Sequence, residues 1–273
     1  MNSGRTNSAK MHKCAYTYRI FTALHFYFFI LKAKKEIKML LYIIRHGDPI
    51  YNPDSLTQKG HLQAQALAKR LAVHGLDRIY CSPNVRARQT AQPTCDLLGL
   101  EMNIENWTSE DIAWKEMACH TLEGKYGWPF HIQNSKVKND INLALYDKWY
   151  EAECFKNVDI KAGVDRIAFE SDKFTKKLGY VREGSIYRAI APNDMRVAVF
   201  CHQGFGTTWM SYLLSINPLI FWSSFDISHS SVTIIEFKNT EDSMVAPKCL
   251  CLSDMSHIYK EGLPLSYQNI IDI

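Results

Sequence analysis

An apolar run in this chain ends in three residues that together could handle an anion. Residues 40–44 (LLYII) lead directly into Arg45-His46-Gly47. Arginine offers a planar fork of N–H donors, a neutral histidine is nucleophilic near pH 7, and glycine lets a ligand approach the backbone closely. The combination predicts a site for an anionic group, and phosphate fits it most directly.

Three later segments carry further residues of the same kinds. They are residues 56–64 (LTQKGHLQA), residues 82–91 (SPNVRARQTA) and residues 197–204 (VAVFCHQG). The order and spacing of the four motifs resemble the histidine phosphatase superfamily, also called the phosphoglycerate mutase-like family. The resemblance covers about residues 39–262, and four ordered motifs make chance agreement a poor explanation.

The resemblance implies a role for each of these residues in phosphoryl transfer. His46 is implied to be the nucleophile that becomes a phosphohistidine, and we expect it to be an exposed side chain at a strand end. His202, Arg45 and Arg86 are implied to bind the phosphoryl oxygens.

Two further residues join the implied substrate site. Asn52 matches an additional phosphate contact that certain mutases of the family use. Gly204 follows the second histidine within its motif.

The general acid is the residue on which the sequence departs from the family pattern. The family places a Glu after the helix that follows the second arginine, usually before a Gly-x-Trp-Glu-Gly segment. Residues 107–114 read WTSEDIAW here, and that segment is absent. Glu110 is the first candidate, Asp111 the second and Glu116 the third. Such a group must keep its proton near neutral pH, and burial beside the flanking tryptophans would raise its pKa.

The surrounding pattern alternates strands with helices. It predicts strands over residues 40–44, 77–81, 196–201, 231–237 and 249–252, and helices over residues 57–74, 162–178 and 205–214. Another helix follows Ser82, which is predicted as its N-cap with Pro83 in the first turn. The pattern predicts a three-layer α/β/α sandwich with a mostly parallel central sheet. Ligands of open α/β sheets bind at the carboxyl ends of the strands, where His46 and His202 would meet.

The amino-terminal residues differ from the rest in charge. Residues 1–38 contain eight Lys and Arg and one Glu, a net +7, so a whole-chain charge of +4 leaves −3 for the remainder. We therefore expect no nucleic-acid partner. The apolar run over residues 20–31 is shorter than the roughly 20 residues of a spanning helix, and no small-residue cleavage site follows it. We interpret residues 1–38 as an extension outside the fold, with an interfacial membrane anchor as the alternative.

Residues 39–273 are predicted to form the catalytic domain, with a cap insertion at about 111–160. The aromatic stretch within it, residues 114–130, fits a cap core and a substrate contact equally well. His120 and His131 are expected to be surface or pocket groups rather than metal ligands, because no Cys or carboxylate accompanies them at ligand spacing.

The cysteines favour an intracellular protein. Eight are present without a C-x-x-C pair or metal-ligand spacing, which predicts reduced thiols, a cytoplasmic location and no metal or other cofactor. The oligomeric state is left open.

Three functions remain compatible with the motifs. A metal-independent phosphatase acting on a small phosphomonoester is favoured, because the loop between the Arg-His-Gly turn and residue 56 is shorter than in the mutases. A mutase would return the phosphate to a bound acceptor. A non-catalytic phosphate-binding relative would explain the altered acid motif, but not the presence of both histidines and both arginines. The sequence does not choose among sugar phosphates, phosphoglycerates and nucleotides.

Overall fold

The computed structural model describes residues 37–120, 125–132, 134–138 and 146–265. The predicted extension lies outside the described residues up to residue 36, as do parts of the predicted cap. The first strand begins at Lys38, two residues before the expected apolar run. It starts earlier because Lys38 and Met39 pair with Lys238 and Phe237 of a later strand.

The elements alternate as the sequence pattern predicts. The strands are β1 (Lys38–Arg45), β2 (Pro49–Tyr51), β3 (Asp54–Leu56), β4 (Arg78–Cys81), β5 (Met102–Ile104), β6 (Cys119–His120), β7 (Tyr126–Gly127), β8 (Tyr180–Glu183), β9 (Ile186–Ala189), β10 (Arg196–Cys201), β11 (Val232–Lys238), β12 (Met244–Val245) and β13 (Lys248–Asp254). The helices are α1 (Gln58–Ala72), α2 (Val85–Leu98), α3 (Glu110–Met117), α4 (Asn134–Lys138), α5 (Ile160–Lys177), α6 (Gln203–Leu213), α7 (Pro218–Trp222) and α8 (Ser256–Lys260). Short 3-10 helices cover Asn106–Thr108, Pro129–His131, Tyr146–Glu151 and Glu153–Phe155.

Six strands form the central sheet in the order β13-β11-β1-β10-β4-β5. The neighbours β1, β10, β4 and β5 are parallel, whereas β11 runs antiparallel to both β1 and β13. The predicted mostly parallel α/β architecture is therefore confirmed. The carboxyl ends of β1, β10 and β4 lie at the same edge of the sheet. The Arg-His-Gly turn, residues 56–64, residues 82–91 and His202 therefore come together at this edge.

Both faces of the sheet are buried at the central strands β1, β10 and β4, where the side chains alternate between two apolar clusters. In β10, Val199 packs on one face with Phe174 of α5 and Trp209 of α6. Phe200 packs on the other face with Leu67 of α1 and with α2. Alternate residues of a strand point to opposite faces, so a continuous apolar run is what a sheet covered by helices on both sides requires.

Two local predictions need correction. Ser82 is not the N-cap of α2, because that helix begins at Val85 and Asn84 is its N-cap residue. The sequence reading also missed the hairpin of β8 and β9, in which Glu183 and Ile186 pair across a two-residue Gly184-Ser185 turn. A two-residue turn that begins with glycine between alternating strands is a recognisable hairpin signal.

No helix in the described part of the chain is long and apolar enough to cross a membrane. None of the seven cysteines in the described ranges forms a disulfide with another of them.

Candidate active site

A cavity of about 600 Å³ opens at the carboxyl edge of the sheet and contains most of the predicted site residues. It is lined by Arg45, His46, Tyr51, Asp54, Asn84, Arg86, Glu110, Asp111, Trp114, Trp128, Phe130, His131 and Gln203. A second cavity of about 570 Å³ lies between α1 and α8 and contains none of the predicted site residues. The chemistry suggested by the sequence therefore belongs to the first cavity.

His46 lies directly after β1 and is buried, with 2% of its surface exposed, rather than exposed as expected. Its Nδ1 lies 2.7 Å from the carbonyl oxygen of Gly47. A carbonyl only accepts hydrogen bonds, so Nδ1 carries the proton and Nε2 keeps its lone pair. Burial, with the nearby charges of His202 and Arg45, holds the pKa of His46 well below its usual value. The side chain is therefore a neutral imidazole with Nε2 available as a nucleophile.

The backbone of the Arg-His-Gly turn is held by the second and third sequence motifs. The amide of Gly47 donates to Thr90 Oγ1 at 2.9 Å, and the amide of Asp48 donates to Gln63 Oε1 at 2.8 Å. A Cβ on Gly60 would lie 2.3 Å from the carbonyl oxygen of Asp48, so the turn and the start of α1 touch through backbone atoms. Glycine is needed here because only hydrogen fits between the two chains.

Arg45 is buried beside His46 and is oriented by the loop that precedes β11. Its Nη1 donates to the carbonyl oxygen of Ile227 at 2.5 Å, and its Nη2 donates to His229 Nε2 at 2.7 Å. The His229 ring centroid lies 5.4 Å from that of His46. Burial and the charge of Arg45 lower the pKa of His229 to about 3, so His229 is neutral and accepts this bond.

Arg86 enters the cavity from the first turn of α2 and is nearly buried. Its Nη1 donates to Asp54 Oδ1 at 2.8 Å, and its guanidinium lies 5.4 Å from the ring centroid of Tyr51. The other carboxylate oxygen of Asp54 accepts from the amide of Val85 at 2.7 Å. Asp54 of the β2–β3 hairpin therefore holds Arg86 in place and also accepts a hydrogen bond from a backbone amide at the start of α2 that has no partner within the helix. Arg88, two residues further along the same helix, is exposed.

His202 is the N-cap residue of α6, and its ring centroid lies 5.1 Å from that of His46. Its Nε2 lies 2.7 Å from Ser82 Oγ. The Ser82 hydroxyl donates to Asn84 Oδ1 at 3.0 Å, so it must accept from Nε2–H of His202, which leaves Nδ1 without a proton. Burial, together with the charges of Arg86 and Arg45, holds the pKa of His202 well below its usual value.

Glu110 lines the cavity from the start of α3 and reaches the start of α6. Its two carboxylate oxygens accept from the amides of Gly204 and Phe205, each at 2.9 Å. These bonds favour the charged form, as do Arg86 and Arg45, yet burial is the larger effect and raises the pKa of Glu110. The raised pKa and the place in the cavity are the properties a general acid needs.

The other two acid candidates differ in position. Asp111 lies at the exposed rim of the cavity, and its Oδ2 accepts from Asn84 Nδ2 at 2.9 Å. Glu116 is not among the lining residues: both of its oxygens accept from Nε of Arg166, at 2.8 and 2.7 Å. Glu110 therefore remains the first candidate, because it lines the cavity and burial raises its pKa.

Three predicted site residues are not among those that line the cavity: Asn52, Gly204 and His202, whose side chain is fully buried. Asn52 lies in the exposed turn between β2 and β3, and its neighbours Tyr51 and Asp54 are the lining residues of that hairpin. Gly204 instead packs under an indole, because a Cβ there would lie 2.4 Å from the ring of Trp128. The extended hairpin carries Asn52 outward, and the Gly204 amide is occupied by Glu110.

The described side chains of the aromatic stretch contribute both to the apolar core and to the cavity wall. Trp114, Trp128 and Phe130 line the cavity, and the last two also pack against the main apolar cluster. His131 lines the cavity, and burial lowers its pKa, whereas His120 is exposed. Over the ranges that the structure describes, no group of three or more His, Cys, Asp and Glu side chains is placed to hold a metal ion.

Sequence reasoning missed three polar residues that organise the site: Asn84, Asp54 and His229. Asn84 Oδ1 accepts from Ser82, from the Ser109 hydroxyl at 3.2 Å and from the amide of Glu110 at 3.3 Å. It thereby joins the loop before α2 to the loop before α3. An Asn two residues after a strand-end Ser was the only signal, and a turn explains it equally well.

Comparison with known proteins identifies relatives of this chain. Residues 41–162 match the sequence profile of the histidine phosphatase superfamily (branch 1). A Hydrogenobacter thermophilus protein whose name describes it as a phosphoserine phosphatase is 33% identical over 97 residues, which cover 32% of this chain. The match spans 45% of that relative, less than half of its length.

Two solved structures share the fold. A phosphoserine phosphatase from Entamoeba histolytica, in complex with 3-phosphoglyceric acid, is 20% identical with a TM-score of 0.50, over 81% of this chain and 99% of that one. A mycobacterial glucosyl-3-phosphoglycerate phosphatase is 15% identical with a TM-score of 0.51, over 79% of this chain and 99% of that one. Both likenesses concern the fold.

Proposed function

Because residues 41–162 match the histidine phosphatase superfamily, we propose that the chain hydrolyses a small phosphomonoester through a phosphohistidine at His46, without a metal ion. The names of its relatives concern phosphorylated small metabolites, and we place its substrate in the same broad class. The proposal includes a cytoplasmic location, which the absence of disulfides among the described cysteines supports.

One observation carries the proposal. Among the described residues, Arg45 Nε, Arg86 Nε and His202 Nδ1 are buried without a hydrogen-bond partner. Leaving a buried polar group unpaired costs roughly 1–3 kcal/mol. A phosphoryl group supplies three acceptor oxygens, and two guanidinium groups with one imidazolium are suited to bind them.

In the first half of the reaction, Nε2 of His46 attacks phosphorus and the bond from phosphorus to the ester oxygen breaks. Arg45 and Arg86 bind the equatorial oxygens, and the proton that a monoanionic phosphoryl group carries passes to Nδ1 of His202, which then donates it in a hydrogen bond to that same oxygen. Glu110 gives its proton to the leaving oxygen, so the alcohol departs neutral and the Glu110 carboxylate remains.

In the second half, a water oxygen attacks phosphorus and the bond to His46 Nε2 breaks. The Glu110 carboxylate removes a proton from that water, which restores the acid for the next turnover. The Nδ1–H bond to Gly47 keeps the His46 ring in one orientation throughout both halves. The two arginines provide the positive charge that a metal ion supplies in other phosphoryl-transfer enzymes.

The test is hydrolysis of p-nitrophenyl phosphate in the presence and absence of a chelator. We expect the same rate in both, and a loss of at least about 10³-fold in His46→Ala, because the nucleophile is gone. His46 is buried, so His46→Asn serves as a second variant that keeps an N–H donor for Gly47. His61→Ala, on the exposed side of α1, is the matched control.

Activity lost on chelation and restored by a divalent metal would overturn the metal-free mechanism. Full activity in both His46 variants would overturn the phosphohistidine. Release of inorganic phosphate in step with the alcohol separates a phosphatase from a mutase, which returns the phosphate to an acceptor.

A further inference from the structure

The cavity has an aromatic wall beyond the histidines and arginines. The ring centroids of Trp114 and Trp128 are 5.0 Å apart with planes at 75°, and Phe130 stacks on Trp128 at 5.6 Å and 14°. Trp128 is fixed in place because its ring lies against the backbone of Gly204. The alcohol part of a bound ester therefore faces preorganised aromatic rings.

The charge next to this wall is negative. Asp111 precedes Trp114 by three residues on α3, so the two side chains share one helix face. In the described part of the chain, Arg45 and Arg86 are the only Lys or Arg residues that line the cavity. Both surround the phosphoryl position, and Arg86 is already paired with Asp54.

These features disfavour a carboxylate on the substrate. A carboxylate close to the phosphate would lie against aromatic faces and near Asp111, with no cation of the cavity left to pair with it. An unpaired charge removed from water is costly, and a like charge beside it adds to the cost. An ammonium group would meet the opposite conditions, because the faces of tryptophan rings attract cations and Asp111 supplies the counter-charge.

We propose that the substrate is a phosphomonoester of an amino alcohol, with a primary or quaternary ammonium group and no carboxylate, bound between the indole of Trp114 and the Asp111 carboxylate. This proposal rests on the phosphatase function proposed above. It assigns Asp111 to specificity and leaves Glu110 as the acid.

The test compares two esters that differ in one group. O-phosphoethanolamine and O-phosphoserine share the phosphate and the ammonium, and only the second has a carboxylate. We expect kcat/KM to be at least about tenfold higher for O-phosphoethanolamine, with the uncharged glycerol 1-phosphate between the two. Equal values, or a preference for O-phosphoserine, would overturn the proposal.

Asp111→Asn tests the counter-charge, since the amide oxygen still accepts from Asn84. The preference for O-phosphoethanolamine over glycerol 1-phosphate should fall about tenfold in this variant. Asp165→Asn, an exposed carboxylate on α5 outside the cavity, should leave the preference unchanged. An equal loss on all three esters in Asp111→Asn would contradict the specificity role.

A binding measurement separates this proposal from the phosphatase function. Calorimetry with His46→Ala should show O-phosphoethanolamine binding more tightly than O-phosphoserine, whether or not the wild type turns them over. Absence of hydrolysis by the wild type would contradict the phosphatase function alone. Tighter binding of O-phosphoserine would overturn the substrate class alone, and absence of binding of either ester would overturn both.

Discussion

Ser82 determines which ring nitrogen of His202 carries the proton. It thereby determines which nitrogen is available to a phosphoryl group under the proposed function. Its hydroxyl donates to Asn84 and accepts from His202 Nε2, which leaves Nδ1 unpaired. A backbone carbonyl in the place of the Ser82 hydroxyl would also accept from His202 Nε2–H and select the same tautomer. It could not donate to Asn84, so it would not connect His202 to the loop that carries Glu110. Under the proposed function Ser82 is a positioning residue, because it would act on the phosphoryl group through His202.

Ser82→Ala should lower kcat/KM about tenfold, equivalent to about 1.4 kcal/mol, because His202 loses the acceptor that orients it. Ser109→Ala is the matched control, since it removes another donor to Asn84 and leaves the His202 bond intact. Steady-state kinetics of both variants provide the measurement. A similar loss in both would show that Asn84, rather than the His202 bond, is what matters.

At the scale of residues, the sequence motifs predicted which side chains lie together at the site. They did not predict the contacts between those side chains. His46, His202, Arg45 and Arg86 could be found because each follows a strand or opens a helix within a recognisable segment. Asp54, Asn84 and His229 could not be found, because their positions depend on the paths of irregular loops. Ser82 was misread because a strand-end Ser followed by Pro also fits an N-cap.

At the scale of elements, the β2–β3 hairpin has a direct effect on the site. Asp54 holds Arg86 and accepts the first amide of α2, so two functions depend on one carboxylate. The sequence showed only a short loop with two prolines, and its pairing as a hairpin that reaches α2 follows from tertiary contacts.

Asp54→Ala should reduce the free energy of unfolding by about 1 kcal/mol, as loss of an N-terminal helix acceptor does. Inhibition by inorganic phosphate should weaken about tenfold, because Arg86 is no longer held in the cavity. Urea unfolding and inhibition assays measure the two effects. Asp96→Ala near the other end of α2 is the control, and inhibition unchanged in Asp54→Ala would refute the role of the hairpin.

At the scale of the whole molecule, the three-layer α/β/α arrangement followed from apolar runs that alternate with amphipathic helices. The pairing of β11 against β1 and the small sheet of β12, β9 and β8 did not, because short strands carry little periodic signal. Packing also buries several histidines as neutral rings, and this has a consequence for stability. Burial lowers the pKa of His46 and His202, and it lowers those of His229 to about 3 and His257 to about 4.

The free energy of unfolding should therefore fall as the pH drops below about 6.5. In that range the unfolded chain takes up protons on these histidines while the folded chain does not, which favours unfolding. The raised pKa of Glu110 acts in the opposite direction, because the folded chain then binds its proton first. Four histidines with lowered pKa values oppose one glutamate with a raised pKa, so the net effect of acid is a lower free energy of unfolding.

His257→Gln isolates one of these contributions. The wild type should lose about 2 kcal/mol more than this variant between pH 7 and pH 5, because His257 stays neutral in the folded chain down to about pH 4. Urea unfolding at the two pH values measures the difference. His61→Gln, at an exposed position, should lose as much as the wild type, and the same loss in His257→Gln would contradict the account.

The central claim is that His46 carries the phosphoryl group on Nε2, because Nδ1 is bonded to the carbonyl of Gly47. The most direct measurement is rapid quenching of the enzyme during turnover of a phosphate-labelled ester, followed by identification of the labelled residue and of its ring nitrogen by phosphorus NMR. We predict label on His46 at Nε2, formed within one turnover and lost on further incubation with water. Turnover without any labelled histidine, or label on Nδ1, would contradict it.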